Sequence, residues 1–345
     1  MSVCEELCVE LTDLCNQACV HCSTNATQNA ACAKRLPFDT VSGLLRWFAG
    51  QGGSLVELSG GEPLLYPDLL PTLGLARSLD LETRLYTTGA PKMKHIPALE
   101  QLADAGLSSA VFSLQGASRA THERITRVPG SFERTISNVR DYVRAGLWVG
   151  LHFVPVKLNY RDVRAMAELA SDLGVKELAF LRFVPQGRGL VNRAELELSH
   201  PEFQRLLHEL SDLVVSETRL AIRAGCPLSF CVAGFESKQC KAGATTALVD
   251  SVGRMHACPA FKNLPGMLTP GFGLNWEAAW SDCQRNVALR MASEGLSGIC
   301  TACEDLLQCQ GRCAAQRYLA HGSIVIGPDP MCPLAGVVSR SAAVR

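Results

Sequence analysis

Cys15, Cys19 and Cys22 stand in a C-x3-C-x2-C spacing, short enough for one loop to carry three thiolates to a shared metal centre. Three thiolates bind three irons of a [4Fe–4S] cluster and leave the fourth open, whereas ordinary ligation uses four cysteines. An open iron is a place for an exogenous ligand. Structural zinc is the rival reading: it closes with four ligands, and His21 inside the loop offers a fourth donor. Of sixteen cysteines, six fall at positions 4–32, none between 33 and 225, and ten between 226 and 332. Cysteines used at random in a core would not leave that gap, so two metal-rich ends are expected around a cysteine-free body.

The segments between the cysteines must position them. Residues 7–11 read as a buried strand running straight into the first cysteine loop. Strands are expected at 54–63, 81–90, 108–116, 147–156 and 175–187, and helices near 69–79, 96–106, 131–146 and 162–174. Strands alternating with helices of this length indicate parallel βαβ units. About six units fit, too few for a closed eight-fold barrel, so the class is α/β with a partial (β/α)6 TIM-like barrel. An amphipathic helix at 200–217 then bridges to a segment dominated by turns and cysteines. The boundary is expected at 215–225, giving a core at 1–215, a cysteine-rich domain at 225–335 and a tail at 336–345.

Bulk properties narrow the function classes. Lys+Arg and Asp+Glu are equal at 33 each, so no long-range field favours nucleic acid or an anionic membrane. No apolar run approaches a membrane span, and the first residues lack a basic and apolar export signal. A cytoplasmic location follows, where thiols stay reduced and clustered cysteines serve as metal ligands more often than as disulfides.

The cysteine loop resembles that of the radical SAM superfamily, and the likeness continues along residues 7–190. SGGEP at 59–63 is similar to the family's GGE motif, which implies that Gly60, Gly61 and Glu62 hold the methionyl amine of S-adenosylmethionine (SAM). TTG at 87–89 stands where relatives carry T-N-G, which assigns Thr88 to the cofactor site. FSLQGASRATHERITR at 112–127 resembles the family's S-L-D-G stretch, with Ser113 placed on the SAM ribose or carboxylate. Gln115 replaces the usual Asp, and His21 replaces the aromatic residue that precedes the third cysteine.

Further on, C-x12-G-x4-C at Cys240, Gly253 and Cys258, then C-x2-C-x5-C-x3-C at Cys300–Cys313, then Cys332, resemble the SPASM domain with its two auxiliary [4Fe–4S] clusters. The resemblance implies Cys240, Cys258 and Cys313 as ligands of the first, with Cys231 or Cys226 completing it, Cys231 being nearer. It implies Cys300, Cys303, Cys309 and Cys332 for the second, hence three clusters in all. Cys4, Cys8, Cys32 and Cys283 are left over as small buried hydrophobes, with Cys283 the candidate hydrogen-atom donor.

Such enzymes cleave SAM reductively to a 5′-deoxyadenosyl radical, with electrons from a donor such as flavodoxin or ferredoxin. Auxiliary clusters that accept an electron point to net oxidation. The expected substrate is a ribosomally made peptide receiving a crosslink, a thioether or a dehydrogenation. The alternative is dehydrogenation or epimerisation of a small molecule such as a sugar or aminocyclitol. Only fourteen residues precede Cys15, so a peptide reading expects a separate leader-peptide-binding protein or recognition by the barrel's own surface. Pro259 after Cys258 lacks the acidic base of sulfatase-type maturases.

Overall fold

The computed structural model describes residues 2–91, 96–217, 219–225, 228, 240–262, 264, 266–267, 275–304 and 306–332. Strands β1 (Glu6–Thr12), β2 (Leu55–Gly60), β3 (Glu82–Thr87), β4 (Ser109–Ser113), β5 (Trp148–Phe153) and β6 (Glu177–Phe180) pair in sequence order, all parallel. The helices between them are α1 (Phe38–Gly50), α2 (Leu69–Ser78), α3 (Leu99–Asp104), α4 (Arg119–Thr126), α5 (Ser131–Arg144) and α6 (Val163–Leu173).

Alternation within β1 shows how the layers form. Leu7, Val9 and Leu11 join the core beneath the helices, together with Val41, Leu44, Leu45 and Phe48 of α1. Cys8, Glu10 and Thr12 occupy the other face, toward the barrel interior. Interior positions of a (β/α) barrel are usually branched apolar residues. Here they carry polar pairs: Tyr86 donates to Glu57 at 2.6 Å, and Arg223 donates to Glu177 at 3.0 Å.

The sheet is wider than six strands. After α7 (Gly187–Val191), α8 (Arg193–Leu196) and α9 (His200–Ser216), β7 (Ala221–Ala224) pairs parallel with β6 at one edge. At the other edge β8 (Thr246–Val249) pairs parallel with β1, and β9 (Met255–His256) pairs antiparallel with β8. The order is β7-β6-β5-β4-β3-β2-β1-β8-β9. The sheet therefore runs past residues 215–225 and draws residues from beyond them into the barrel edge. The remaining α-helices among the described residues are α10 (Trp276–Gln284), α11 (Arg290–Glu294), α12 (Leu306–Cys309) and α13 (Ala314–His321). Trp276, Trp280 and Cys283 of α10 pack into the barrel core, and a second core gathers Phe261, Leu264, Val287, Ala314 and Ile324. Among the described residues no helix is long and apolar enough to cross a membrane.

Candidate active site

The cysteine loop leaves the C-terminal end of β1 and is fastened on several sides. Cys15 N–H donates to the Thr27 carbonyl at 2.8 Å, and Ala18 and Val20 N–H donate to carbonyls of α4 at 3.1 and 2.9 Å. From α7, Arg188 Nε donates to the Cys19 carbonyl at 2.9 Å, and a second guanidinium nitrogen reaches the Ala26 carbonyl. Asn192 donates to the Val20 carbonyl at 2.9 Å. Thr24 donates to buried Glu10 at 3.0 Å, and the Lys262 ammonium donates to the same carboxylate at 2.6 Å. The loop is thus tied to the segment that follows Cys258.

The three thiols are close neighbours. Burial pushes Cys15 up to about 12, with Glu62 and Cys22 adding to it. Burial also lifts Cys19 well above the thiol range, reinforced by Cys22 and Cys15. Such thiols bind protons until a metal displaces them. Gln17 N–H points at Cys15 Sγ over 3.4 Å, and Cys19 Sγ donates to Gln17 Oε1 over 3.2 Å. Two buried polar atoms beside them, Gln17 Nε2 and His21 Nδ1, have no hydrogen-bond partner among the described residues. Burial followed by the Arg188 charge lowers His21 to about 4, so the imidazole is neutral at pH 7.

Glycine explains how β2 meets this loop. A Cβ on Gly60, where φ is +131°, would meet the Thr12 carbonyl oxygen at 2.2 Å, and one on Gly61 the Leu14 carbonyl at 2.2 Å. Only glycine allows that approach. The turn then delivers Glu62, fully buried, into a ring of donors: Thr88 Oγ1 at 2.6 Å, Thr87 Oγ1 at 2.7 Å, Thr88 N–H at 2.8 Å and Leu64 N–H at 3.1 Å. Burial raises its proton affinity, and the threonine bonds oppose that rise. Asn16, beside Cys15, donates to the Ala90 carbonyl at 2.7 Å and so joins the loop to the segment after β3 that carries Thr88. Ser113 is half-buried at the end of β4, paired in register with His152. Gln115 is buried and takes structural bonds, accepting from Val154 N–H at 3.1 Å.

The C-terminal cysteines separate into two neighbourhoods. Burial raises Cys258, and Cys240 and Cys313 raise it further. Burial raises Cys313 to about 12, with Cys240 and then Asp329 adding to it. Burial also raises Cys300; Arg317 opposes the rise, and Cys309, Cys332 and Cys303 reinforce it. Cys226 and Cys231 lie outside the described residues. Among the described residues no three or more His, Cys, Asp or Glu side chains close around a single ion.

Cys283 is not brought to any of these places. It is 2% exposed in the barrel core, and it neighbours Cys4, ahead of β1 and so at the opposite end of that strand from the cysteine loop. Burial holds its thiol up at about 12. A hydrogen-atom donor must face the reacting carbon, and this thiol faces hydrocarbon. Sequence reading missed Asn16, Arg188 and Lys262, which act on the loop across 74 to 252 residues of chain.

Relatives cover nearly the whole chain. It is 28% identical over 342 residues to the AdoMet-dependent heme synthase of Methanosarcina barkeri, spanning 94% of each. It is 28% identical over 336 residues to the PqqA peptide cyclase of a Methylobacterium species, spanning 95% of this chain and 86% of the other. The fold matches Streptococcus suis SuiB bound to precursor peptide SuiA with a TM-score of 0.76 at 19% identity, over 97% of this chain and 77% of that one. Residues 9–170, which run from within β1 through the cysteine loop and the Glu62 turn and past Ser113, match the family model described as Radical SAM superfamily. The protein is thus an enzyme that carries a radical SAM superfamily domain over residues 9–170, a family whose chemistry rests on a [4Fe–4S] cluster and SAM.

Proposed function

We propose that this enzyme oxidatively modifies a ribosomally made peptide, with one [4Fe–4S] cluster on Cys15, Cys19 and Cys22 and two auxiliary clusters on the C-terminal cysteines. The observation that carries the substrate class is the likeness to a PqqA peptide cyclase over 95% of this chain. The fold shared with SuiB in its peptide complex is consistent with it.

The residues suit the groups. Three thiols on one loop and two buried polar atoms without a partner among the described residues fit a body larger than one ion. Bound together, the cluster and SAM supply reductive cleavage of the sulfonium and removal of a hydrogen atom from an unactivated carbon. The protein's part is placement. Glu62, held from four sides, takes the methionyl amine; the Gly60–Gly61 backbone lets SAM lie against the loop; Ser113 addresses the ribose or carboxylate. Arg188 and Lys262 hold the loop in place. Cys240, Cys258 and Cys313 hold one auxiliary cluster, with Cys231 or Cys226 as its fourth ligand, and Cys300, Cys303, Cys309 and Cys332 hold the other. Flavodoxin or ferredoxin supplies the electron, and a separate leader-binding protein presents the peptide.

A second reading rests on the heme synthase relative, aligned over 94% of both chains: oxidation of a small molecule. Anaerobic reaction with SAM and dithionite separates the two. Candidate short peptides encoded beside the gene are supplied, and 5′-deoxyadenosine and substrate mass are followed. Peptide-dependent 5′-deoxyadenosine with loss of two hydrogens supports the first reading. Turnover that ignores every peptide and responds to a small metabolite pool overturns it.

A further inference from the structure

Arg317 on α13 is completely buried, and its guanidinium is only partly engaged. Nε donates to the Ile324 carbonyl at 2.8 Å, but Nη1 and Nη2 have no partner among the described residues. The group is pressed against the turn between Cys309 and Cys313: a Cβ on Gly311, where φ is +70°, would lie 1.7 Å from Nη1. That turn joins the two cysteine neighbourhoods.

Of the other buried charges nearby, Arg312 on the same turn donates to the Met331 carbonyl at 3.1 Å, while Arg182 and Asp329 cancel. Arg182 and Asp329 form a bidentate pair at 2.6 and 2.8 Å, with side chains 7% and 0% exposed. Asp329 also accepts from Cys313 N–H at 3.3 Å and Met331 N–H at 2.9 Å. Arg182 lies 5.8 Å from the Phe203 ring centroid, which further fixes the pair. Arg317 is therefore a buried cation with no carboxylate of its own. The groups that face it are Cys300, Cys240, Cys313 and the already paired Asp329. Guanidinium stays protonated in proteins, and a buried charge without a counter-charge is strongly destabilising. Among the groups that face Arg317, the cysteines can supply that counter-charge as metal-bound thiolates.

We propose that Arg317 is a positioning residue shared by the two C-terminal iron–sulfur clusters, its free N–H groups serving their anionic sulfurs and raising both reduction potentials. The idea rests on the auxiliary-cluster reading above. A fixed cation and N–H···S bonds stabilise the more negative, reduced state of a cluster. One group serving both would also make reduction of either cluster felt by the other.

The test is a potentiometric titration followed by electron paramagnetic resonance on the anaerobically reconstituted full chain, with iron and sulfide analysis. Arg317→Gln should lower the midpoint potentials of both C-terminal clusters and leave that of the Cys15 loop unchanged. Arg317→Lys, which keeps the charge, should give a smaller shift. Should Arg317→Gln lose iron while Arg317→Lys keeps it, the need for the cation is equally supported. Unchanged potentials in Arg317→Gln, an equal shift in both variants, or iron loss from both overturns the proposal. Wild-type protein that binds iron only at the Cys15 loop overturns the auxiliary-cluster reading itself, before any variant is made.

Discussion

Glu62 illustrates how the fold holds one fully buried carboxylate in place. A carboxylate with no exposure is costly unless its lone pairs are met, and four donors from two short segments meet them. Glu62→Gln turns one acceptor into a donor facing those hydroxyls and removes the charge for the SAM amine. SAM affinity is expected to fall by about 2–5 kcal/mol, with the iron of the Cys15 loop retained, as read by calorimetry and iron analysis. Buried histidines set an acid limit. Burial lowers His122 to about 4, and burial with the Arg223 and Arg84 charges lowers His152 to about 3. Both are neutral in the fold, while the unfolded imidazole takes a proton below about 6.5. The unfolded state therefore binds more protons as pH falls from about 6.5 toward 4, and stability drops across that window. Urea midpoints should fall between pH 7 and pH 5, and His152→Asn should flatten the dependence.

At the level of elements, the junction of β1 and β2 with the cysteine loop carries the site. Gly61→Ala drives a methyl group into the Leu14 carbonyl at a backbone that cannot retreat without moving the loop. A loss of more than about 2 kcal/mol is expected, with the iron of the loop lost first, measured by thermal melting beside metal analysis. The short helix α7 acts from the other side. Arg188→Met removes both bonds to the Cys19 and Ala26 carbonyls while keeping an unbranched stem. The fold should survive, with the melting temperature little changed, while iron at the Cys15 loop becomes labile to chelator.

Across the whole molecule, the cysteine-rich C-terminal part is woven into the barrel. β8 covers the edge of β1, the strand that feeds the cysteine loop, and Trp280 on α10 donates to the Ser2 carbonyl at 3.0 Å. A chain cut before residue 240 would bare the backbone groups of β1 and the apolar surface under Trp276 and Trp280. Bare strand edges recruit other chains. Such a truncation should aggregate in sedimentation velocity, where the full chain runs as a discrete species.

Local pattern accounts for what the sequence determined by itself. Strand and helix periodicity marked the six units, and the C-x3-C-x2-C loop, SGGEP and the C-terminal spacings picked out the residues proposed to carry the chemistry, because each motif needs only neighbours a few positions away. The turn at Gly60 and Gly61 was legible for the same reason: close backbone approach admits one residue type. What the tertiary structure decided is non-local. β8 is a four-residue strand inside a cysteine-rich stretch, and only pairing with β1 makes it part of the barrel. Cys283 looked like a spare thiol near the chemistry until packing placed it beside Cys4. Arg188, Lys262 and Arg317 carry no motif, since a charge becomes informative only when folding removes water and shows what it must face.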